Sequence, residues 1–484
     1  LVWDYSVFLP AVLLSSFIVI FACVRLVFAP KNHVQEVQCT TVKDIHVCFA
    51  CISILSVIFL FSTYPGIWLQ ADNDGTWTMC RYKIWNDWFS FGYQIFIYAC
   101  TFFIRKRFCI NLCQTAVWLC VNYYILSTLR CFNKKTLYVY TLVLCCILTP
   151  FNYLENMVHD TIFSICFLAF CAALFKVTVI RFSTLDGVML SFAAAGVMLF
   201  RHGTGVLVFV VLLGLILFFA VTKSQYIKKS IGVCAIQVCV YVFVNIILFN
   251  AFHVIPNPKY VTYGTPMAMI GAAAAHDVTF SNTDRAILEN VMPLEEWGRC
   301  YNPYWVDSIS REGGTIGNKI QAVETLVQEK HFGRDLLRIN AKLAFFHPKI
   351  YISSLFKMNN TVWRFVKPRN DSRWGVCNVP HDEDIFYTAF FSCTDAITRF
   401  YDSVPILRAF AWRGGVSFFI LLVCVIVFIA IGKKHYAFSI LPIILYSCLL
   451  LLVIPNSDPR FILPSIDCAI FFFAILCGGI QRFK

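Results

Sequence analysis

Charged and polar side chains in this sequence gather just outside long apolar stretches, where they could do chemistry at a membrane surface. The first group follows the apolar stretch that ends near Tyr64, and it contains Asp72, Asp74 and Asp87. Carboxylates of this kind can accept a proton from a reacting hydroxyl group. An Asp-Asn-Asp-Gly sequence is also ordinary turn chemistry, so Asp74 is either a second carboxylate of a site or a turn residue.

A second group, Glu155, His159 and Asp160, stands where the chain enters another apolar stretch at Thr161. Asp160 is either the N-cap of a helix or a carboxylate that faces the first group across a cavity. His159 and Asp160 are the candidate ligands of a divalent metal, Mg or Mn. A single histidine at such a place is more often an interfacial hydrogen-bonding residue.

Two arginines stand at the ends of later apolar stretches. Arg201 and His202 lie between two such stretches, and Arg460 follows Asp458 at the start of the last one. An arginine there can simply extend to lipid headgroups. Its planar guanidinium group is also suited to binding a phosphate. Each group is weak evidence alone, and their placement on one face of a membrane would make them informative together.

Membrane helices must position these groups. Of the 484 residues, 59% are hydrophobic and only 14% are charged, a composition that soluble globular proteins do not have. The apolar stretches have about the 20 residues that a membrane-crossing helix needs. We therefore predict an all-α, polytopic bundle with about eleven spans, at 5–29, 46–64, 109–130, 135–151, 161–180, 184–200, 204–222, 229–252, 412–432, 436–455 and 460–480.

Basic residues in the short connections predict the orientation of the bundle in the cytoplasmic (inner) membrane. Cytoplasmic loops are enriched in Lys and Arg, and all such pairs lie on one side if residues 88–104 form an interfacial helix that does not cross. That helix would otherwise be a twelfth span. The pairs are Lys134-Lys135, Lys228-Lys229, Lys433-Lys434 and the Arg482/Lys484 tail. The candidate site residues then lie on the extracytoplasmic face. The same rule accounts for the net charge of +13 without a nucleic-acid partner.

The chain divides into three parts on this interpretation. Residues 1–252 form an N-terminal transmembrane module that includes the first outer loop, 64–108. Residues 253–411, rich in proline and in charges of both signs, form a mostly helical extracytoplasmic segment, and 412–484 form the C-terminal transmembrane helices. We interpret 5–29 as a retained span. Most of the 23 cysteines lie in apolar stretches, and a disulfide among the external Cys80, Cys300, Cys377 and Cys393 is unassigned.

The groups, taken in order along the chain, resemble the GT-C superfamily of polytopic glycosyltransferases, and most closely a bacterial group with a Tyr-Pro-Gly, Asp, Asp-Trp-His-Pro pattern in the first outer loop. Two positions depart from that pattern: Phe89 stands where histidine is common, and His159 stands where lysine is usual. The matching residues are Tyr64-Pro65-Gly66, Asp72, Asp87-Trp88-Phe89, His159-Asp160-Thr161, Arg201-His202-Gly203, Phe346-His347-Pro348-Lys349-Ile350-Tyr351 and Pro459-Arg460-Phe461.

The resemblance implies an enzyme that transfers a sugar from a polyprenyl-phosphate donor to an extracytoplasmic acceptor, such as a cell-envelope glycan, teichoic acid or lipid-linked saccharide. On this basis we expect Asp72 to act as general base and Asp160 to be catalytic or to help hold a metal. The lipid phosphate would be bound by Arg201, His202 and Arg460. The expected supporting residues are Asp74, Asp87, Glu155, His159 and Lys349.

Two other functions are compatible with the number of spans. An outer-face polysaccharide polymerase or ligase also combines a dozen spans with a large external segment. A lipid-linked saccharide flippase or another transporter would show broken helices, ionisable residues near the bilayer midplane and similarity between its halves. The ionisable residues here stand at the ends of the apolar stretches, which favours the transferase.

Overall fold

The computed structural model describes residues 41–64, 66, 71–87, 90–257, 262–306, 308–309, 332–366, 386–453 and 458–478. The span predicted at 5–29 lies outside these ranges. Most of the described residues are helical. The other ten predicted spans coincide with helices of the structure, because each apolar stretch is long enough to make all its main-chain hydrogen bonds within one helix.

Seven of the described helical segments are long and apolar enough to cross a membrane. A further candidate is the pair Pro405–Trp412 and Gly414–Ala430, bent by 68°. Helices Lys134–Cys146 and Thr184–Phe200 are shorter, with 13 and 17 residues. The chain is therefore an integral, multi-pass, all-α membrane protein. The seven are Val42–Leu60, Phe108–Leu129, His159–Ile180, Thr204–Val221, Ile227–Ala251, Lys434–Leu452 and Pro459–Gly478.

Some of these segments are not α-helical throughout. The segment His159–Ile180 consists of the α-helix His159–Phe175 followed by a π-helix, Lys176–Ile180. The segment that starts at Ile227 contains a π-helix at Phe243–Leu248. The last one begins as a 3₁₀-helix, Pro459–Ile462, and continues as the α-helix Leu463–Gly478.

Two helices form the centre of the bundle. Every residue from Asp160 to Phe175 is buried, and almost every residue of Leu463–Gly478 is buried too. Aromatic rings fill the space between them and helix Lys434–Val453, with Tyr446 in contact with Phe163 and Phe167. Any polar group on these two helices is therefore removed from lipid and from water.

The first outer loop contains two helices that do not cross the membrane. They are Ala71–Tyr82 and Phe91–Cys100. The second has 10 residues and is about 15 Å long, half the thickness of the hydrocarbon core. This length agrees with the prediction that the apolar stretch does not cross. Asn86 pairs with Ile255, which ties the end of the loop to the start of the next external segment.

That segment is mostly helical where it is described. Its larger helices enclose an apolar core of their own, around Trp297 and Met269. The helix before Pro348 ends at Phe346 and a new one starts at the proline, so no span forms there. The helices are Gly264–Ala275, Asn282–Glu289, Leu294–Arg299, Phe332–Phe346, Pro348–Met358, Asn360–Trp363 and Ala389–Ser403.

The two external parts also meet each other. Strand Thr63–Tyr64, directly after the first described span, pairs antiparallel with Phe386–Tyr387. Thr388 extends this contact by donating its N–H to the main-chain oxygen of Ser62, 3.1 Å away. The start of the first outer loop and the end of the second are therefore held together. Of the cysteines predicted to be external, Cys80 and Cys393 are free thiols, and Cys377 lies outside the described residues.

Candidate functional site

Asp160 lies at the centre of a buried ionic cluster. Its side chain is 0% exposed, and the Nη1 atom of Arg201 donates a hydrogen bond to its Oδ1. The Nε atom of Arg460 lies 3.6 Å from its Oδ2. The structure thus brings together three residues that the sequence placed on one face. A buried ion pair is held only when its geometry compensates the loss of water, and Asp160 is here shared by two guanidinium groups.

The local backbone explains how Arg201 reaches Asp160. Arg201 ends helix Thr184–Phe200 in an extended conformation, and Gly203 turns the chain at φ +77°, a left-handed conformation that suits glycine. The hydroxyl group of Thr204 then donates to the main-chain oxygen of Arg201 at 2.7 Å. Three residues therefore suffice to join the two helices, and Arg201 is fixed at their junction.

Arg460 is fixed by Asp458, which caps the 3₁₀-helix Pro459–Ile462. The Oδ1 atom of Asp458 accepts the main-chain N–H of Arg460 at 3.1 Å, and its Oδ2 lies 3.1 Å from Arg460 Nε. Asp160 itself stands in the first turn of its helix, where the helix dipole favours a negative charge. The two carboxylates and the two arginines balance in formal charge.

Aromatic rings surround the guanidinium group of Arg201. Its Cζ atom lies 4.5 Å from the ring centre of Phe461, 5.5 Å from that of Phe163 and 5.8 Å from that of Tyr446. Contacts of this kind stabilise a desolvated cation. The side chain is 9% exposed, so it points inward to Asp160. Extension of Arg201 to the headgroups, the simpler of the two interpretations, is wrong.

His202 connects this cluster to the first outer loop. Its Nε2 atom donates to the main-chain oxygen of Asp87 at 2.7 Å, and the Oδ1 atom of Asp87 lies 3.8 Å away. The same Oδ1 accepts the N–H of Phe91 at 3.0 Å at the start of helix Phe91–Cys100. Burial raises the pKa of Asp87, and the neighbouring His202 opposes that shift. Ser90 adds a hydrogen bond to the main-chain oxygen of Leu199 at 2.6 Å.

Glu155 does not join the cluster through its carboxylate. Its Oε2 accepts hydrogen bonds from Ser62 at 2.5 Å and from Thr63 at 3.1 Å. Burial raises the pKa of Glu155 to about 7, although these two hydroxyl groups oppose the shift. Its main-chain oxygen accepts a hydrogen bond from Asn111 at 2.7 Å. Glu155 therefore holds the beginning of the first outer loop.

Gly66 packs against the same place. Its φ is +109°, and a Cβ atom there would lie 2.0 Å from Asn111 Nδ2 and 3.0 Å from the main-chain oxygen of Glu155. Only glycine fits this combination of conformation and contact. The Tyr-Pro-Gly element of the sequence is thus part of the support of the first outer loop.

The remaining predicted site residues are Asp72, Asp74, His159 and Lys349. Asp72 and Asp74 stand in helix Ala71–Tyr82, so the interpretation of Asp74 as a turn residue is wrong. The side chains of both residues lie outside the described part, so the role of Asp72 as general base stays a prediction. His159 Nε2 lies 3.6 Å from Asp160 Oδ2 and its ring packs against Tyr93. Lys349 is exposed at the start of helix Pro348–Met358, and none of its described contacts reaches the cluster.

The described residues around Asp160 do not fit a Mg or Mn site. They contain no group of three or more His, Cys, Asp or Glu residues that could hold a metal ion. Such ions prefer several oxygen ligands, whereas Asp160 already faces two guanidinium groups. No step of the chemistry below is assigned to a metal.

The sequence reasoning missed one buried carboxylate. Asp467 lies in the central helix Leu463–Gly478, is 3% exposed and accepts a hydrogen bond from Ser164 at 2.5 Å. Ser164 stands one turn beyond Asp160 on the other central helix. The signal was an aspartate inside an apolar stretch, which is rare in membrane helices and often functional.

Comparisons with known proteins give one distant likeness. No protein-family model and no curated protein matches the sequence. Among solved structures, ArnT from Cupriavidus metallidurans in the apo state is 12% identical, with a TM-score of 0.32 over 91% of this chain and 77% of that chain. The same protein bound to undecaprenyl phosphate is 12% identical, with a TM-score of 0.34 over 90% and 78%. Likenesses of this size carry no argument about function.

Proposed function

We propose that this protein is a membrane glycosyltransferase of the GT-C type, which moves a sugar from a polyprenyl-phosphate donor to an acceptor on the extracytoplasmic face of the cytoplasmic membrane. The observation that carries the proposal is the convergence of Arg201 and Arg460 on Asp160. A transporter would need its ionisable groups near the bilayer midplane. Here Asp160 and Arg460 stand at the starts of the central helical segments, and Arg201 stands at the junction of two other helices.

The reaction makes a specific demand on the site. The acceptor oxygen forms a bond to the anomeric carbon of the sugar and loses its proton to a carboxylate. The bond between that carbon and the phosphate oxygen breaks, and its electron pair leaves with the polyprenyl phosphate. Donors that are already oriented stabilise such developing charge most effectively, because they need no reorganisation during the reaction.

Arg201 and Arg460 meet this demand. Asp160 engages one edge of the Arg201 guanidinium group, and a guanidinium has five N–H donors, so Arg201 can hold Asp160 and a phosphate oxygen at the same time. Arg460 adds a second positive charge beside Asp160. The aromatic rings around Arg201 and the cap from Asp458 restrict the movement of both side chains. Asp160 is thus a positioning residue for the two arginines in this proposal.

The first outer loop would supply the general base. Asp87 and Ser90 fix the second half of that loop beside Arg201, and Glu155 with Gly66 fixes its beginning. Asp72 lies on the helix between these two supports. We assign the proton transfer to Asp72 on the resemblance of its motif and on this placement of its helix.

The test is turnover of a panel of polyprenyl-phosphate sugars by the purified protein. We expect at least one donor to be consumed, with Arg201→Gln and Asp72→Asn each reducing the rate about 100-fold or more, the loss typical for a transition-state donor. Arg399→Gln is the matched control, since Arg399 is 77% exposed and pairs with Asp395 on its own helix. Binding of a donor without any consumption would favour a transporter and contradict the proposal.

A further inference from the structure

A second candidate site lies at the other end of the membrane helices. A cavity of about 360 Å³ opens beside the π-helix Lys176–Ile180, the end of helix Thr204–Val221 and the start of helix Lys434–Val453. The segment His159–Ile180 has 22 residues and is about 33 Å long, so the cavity and the Asp160 cluster lie on opposite membrane faces. Its lining is Val177, Thr178, Ile180, Arg181, Phe218, Phe219, Thr222, Ser224, Tyr226 and His435.

The lining combines two kinds of side chain. Apolar side chains include Val177, Ile180 and Phe218. Polar groups are the guanidinium group of Arg181, the imidazole of His435 and four hydroxyl groups. None of the described lining residues is acidic. A ligand that matches both kinds of side chain has an anionic head and an apolar tail.

Arg181 is available to such a ligand. Its side chain is exposed and makes no ion pair with the residues that the structure describes. Two neighbouring cations, in contrast, have partners within the protein. Lys176 lies 2.8 Å from Asp186 Oδ1, and Lys229 donates to the main-chain oxygen of Phe182 at 2.7 Å. The π-helix that carries the chain to Arg181 is a rare conformation, found most often at functional sites.

The position of the cavity indicates the source of the anion. It lies at helix ends, the level of the lipid headgroups. Leu217 and Val221, the chain neighbours of the lining residues Phe218 and Thr222, are 56% and 82% exposed. Lysines flank it at positions 223, 228, 433 and 434, on the face that the charge rule makes cytoplasmic. A free phosphate ion would make no contact with the apolar side chains of the lining.

We propose that this cavity binds the phosphate headgroup of an anionic phospholipid of the cytoplasmic leaflet. Arg181 contacts the phosphate, the hydroxyl group of Ser224 lies beside it, and the acyl chains lie along Phe218. Basic pockets between membrane helices on this side commonly bind anionic lipid headgroups. This site is independent of glycosyl transfer on the other face.

Native mass spectrometry of the delipidated full chain in detergent tests the proposal. Phosphatidylglycerol and phosphatidylcholine with the same acyl chains are added in separate titrations. We expect phosphatidylglycerol to bind more tightly, and Arg181→Gln to weaken its binding about fivefold, the effect of one basic residue at a membrane surface. Lys135→Gln, which removes an exposed charge on the same face outside the cavity, should leave the binding unchanged.

The outcomes separate the alternatives. Equal binding of the two lipids, or equal effects of Arg181→Gln and Lys135→Gln, would overturn the site. Displacement of the lipid by inorganic phosphate would assign the cavity to free phosphate and overturn the lipid proposal. Because Arg181 is exposed, Arg181→Gln should retain the wild-type melting temperature, so weaker binding would not come from unfolding.

Discussion

Removing the carboxylate of Asp160 should be the most damaging single change in the ionic cluster. In Asp160→Asn, Arg201 loses its described carboxylate partner while its side chain stays 9% exposed. Arg460 keeps Asp458, 3.1 Å away. Removing one partner of a buried ion pair costs about 3–5 kcal/mol, because the other charge stays buried without compensation. We expect a loss of unfolding free energy in this range.

A double-mutant cycle separates this effect from a general loss of packing. The variants are Asp160→Asn, Arg201→Gln and the combination of both, and their unfolding is followed by tryptophan fluorescence in detergent micelles with increasing denaturant. Residues in direct contact show coupling energies of about 0.5–3 kcal/mol. The double variant should therefore be more stable than the sum of the single effects predicts.

An exposed ion pair provides the control for this cycle. Asp395 and Arg399 are 31% and 77% exposed and stand four residues apart on one helix, so Asp395→Asn should cost no more than about 0.5 kcal/mol. If Asp160→Asn is as stable as the wild type, or if the two single effects simply add, Asp160 does not hold Arg201 and the reasoning about the cluster is wrong.

Three further changes test the support of the first outer loop. The pKa of Glu155 in the folded protein is raised to about 7, so the stability that this group contributes is complete below its unfolded pKa and is lost as the pH rises through 7. Glu155→Gln should therefore make the melting temperature less dependent on pH between pH 5 and 8. A variant with the same pH profile as the wild type would refute this. Gly66→Ala should lower the melting temperature more than Gly203→Ala, since both glycines have positive φ but only Gly66 would bring a Cβ atom against neighbours; equal shifts would argue against this packing. Asp87→Ala should reduce transfer activity more than Asp87→Asn, because asparagine keeps an oxygen that accepts the N–H of Phe91. Equal activities of the two variants would contradict the role of this hydrogen bond.

The positions of the membrane helices could be predicted from the sequence because hydropathy is a local property. An apolar stretch of sufficient length forms a helix whatever lies next to it. The prediction that residues 88–104 do not cross depended on the distribution of basic residues, and the 10-residue helix Phe91–Cys100 agrees with it.

The pairing within the site could not be predicted in the same way. Asp160 and Arg201 are 41 positions apart, and their contact depends on how helix His159–Phe175 packs against helix Thr184–Phe200. From the sequence, Arg201 could equally extend toward lipid. From the sequence, Asp160 was either a helix N-cap or a carboxylate facing the first group; in the structure Val158 takes the N-cap position, and Asp160 lies in the first turn between two arginines.

Two other results depended on tertiary contacts. The hydroxyl groups of Ser62 and Thr63 make Glu155 a support of the first outer loop, and neither serine nor threonine gives a strong signal in an apolar sequence. The segment with Asp72 and Asp74 looked like a turn because of its composition, but its backbone is helical. Context overrides such local preferences where the neighbouring chain holds the segment.

Binding of polyprenyl phosphate, the product that should leave the site, is the most direct measurement of the central claim. It can be titrated into the purified wild type and into Arg201→Gln, Arg460→Gln and the exposed control Arg399→Gln. A hydrogen bond to a charged group contributes about 1.5–3 kcal/mol. We predict that each of the first two variants binds at least tenfold more weakly than the wild type, while the control binds equally well. Equal affinity of all four proteins would contradict the assignment of the two arginines to the lipid phosphate.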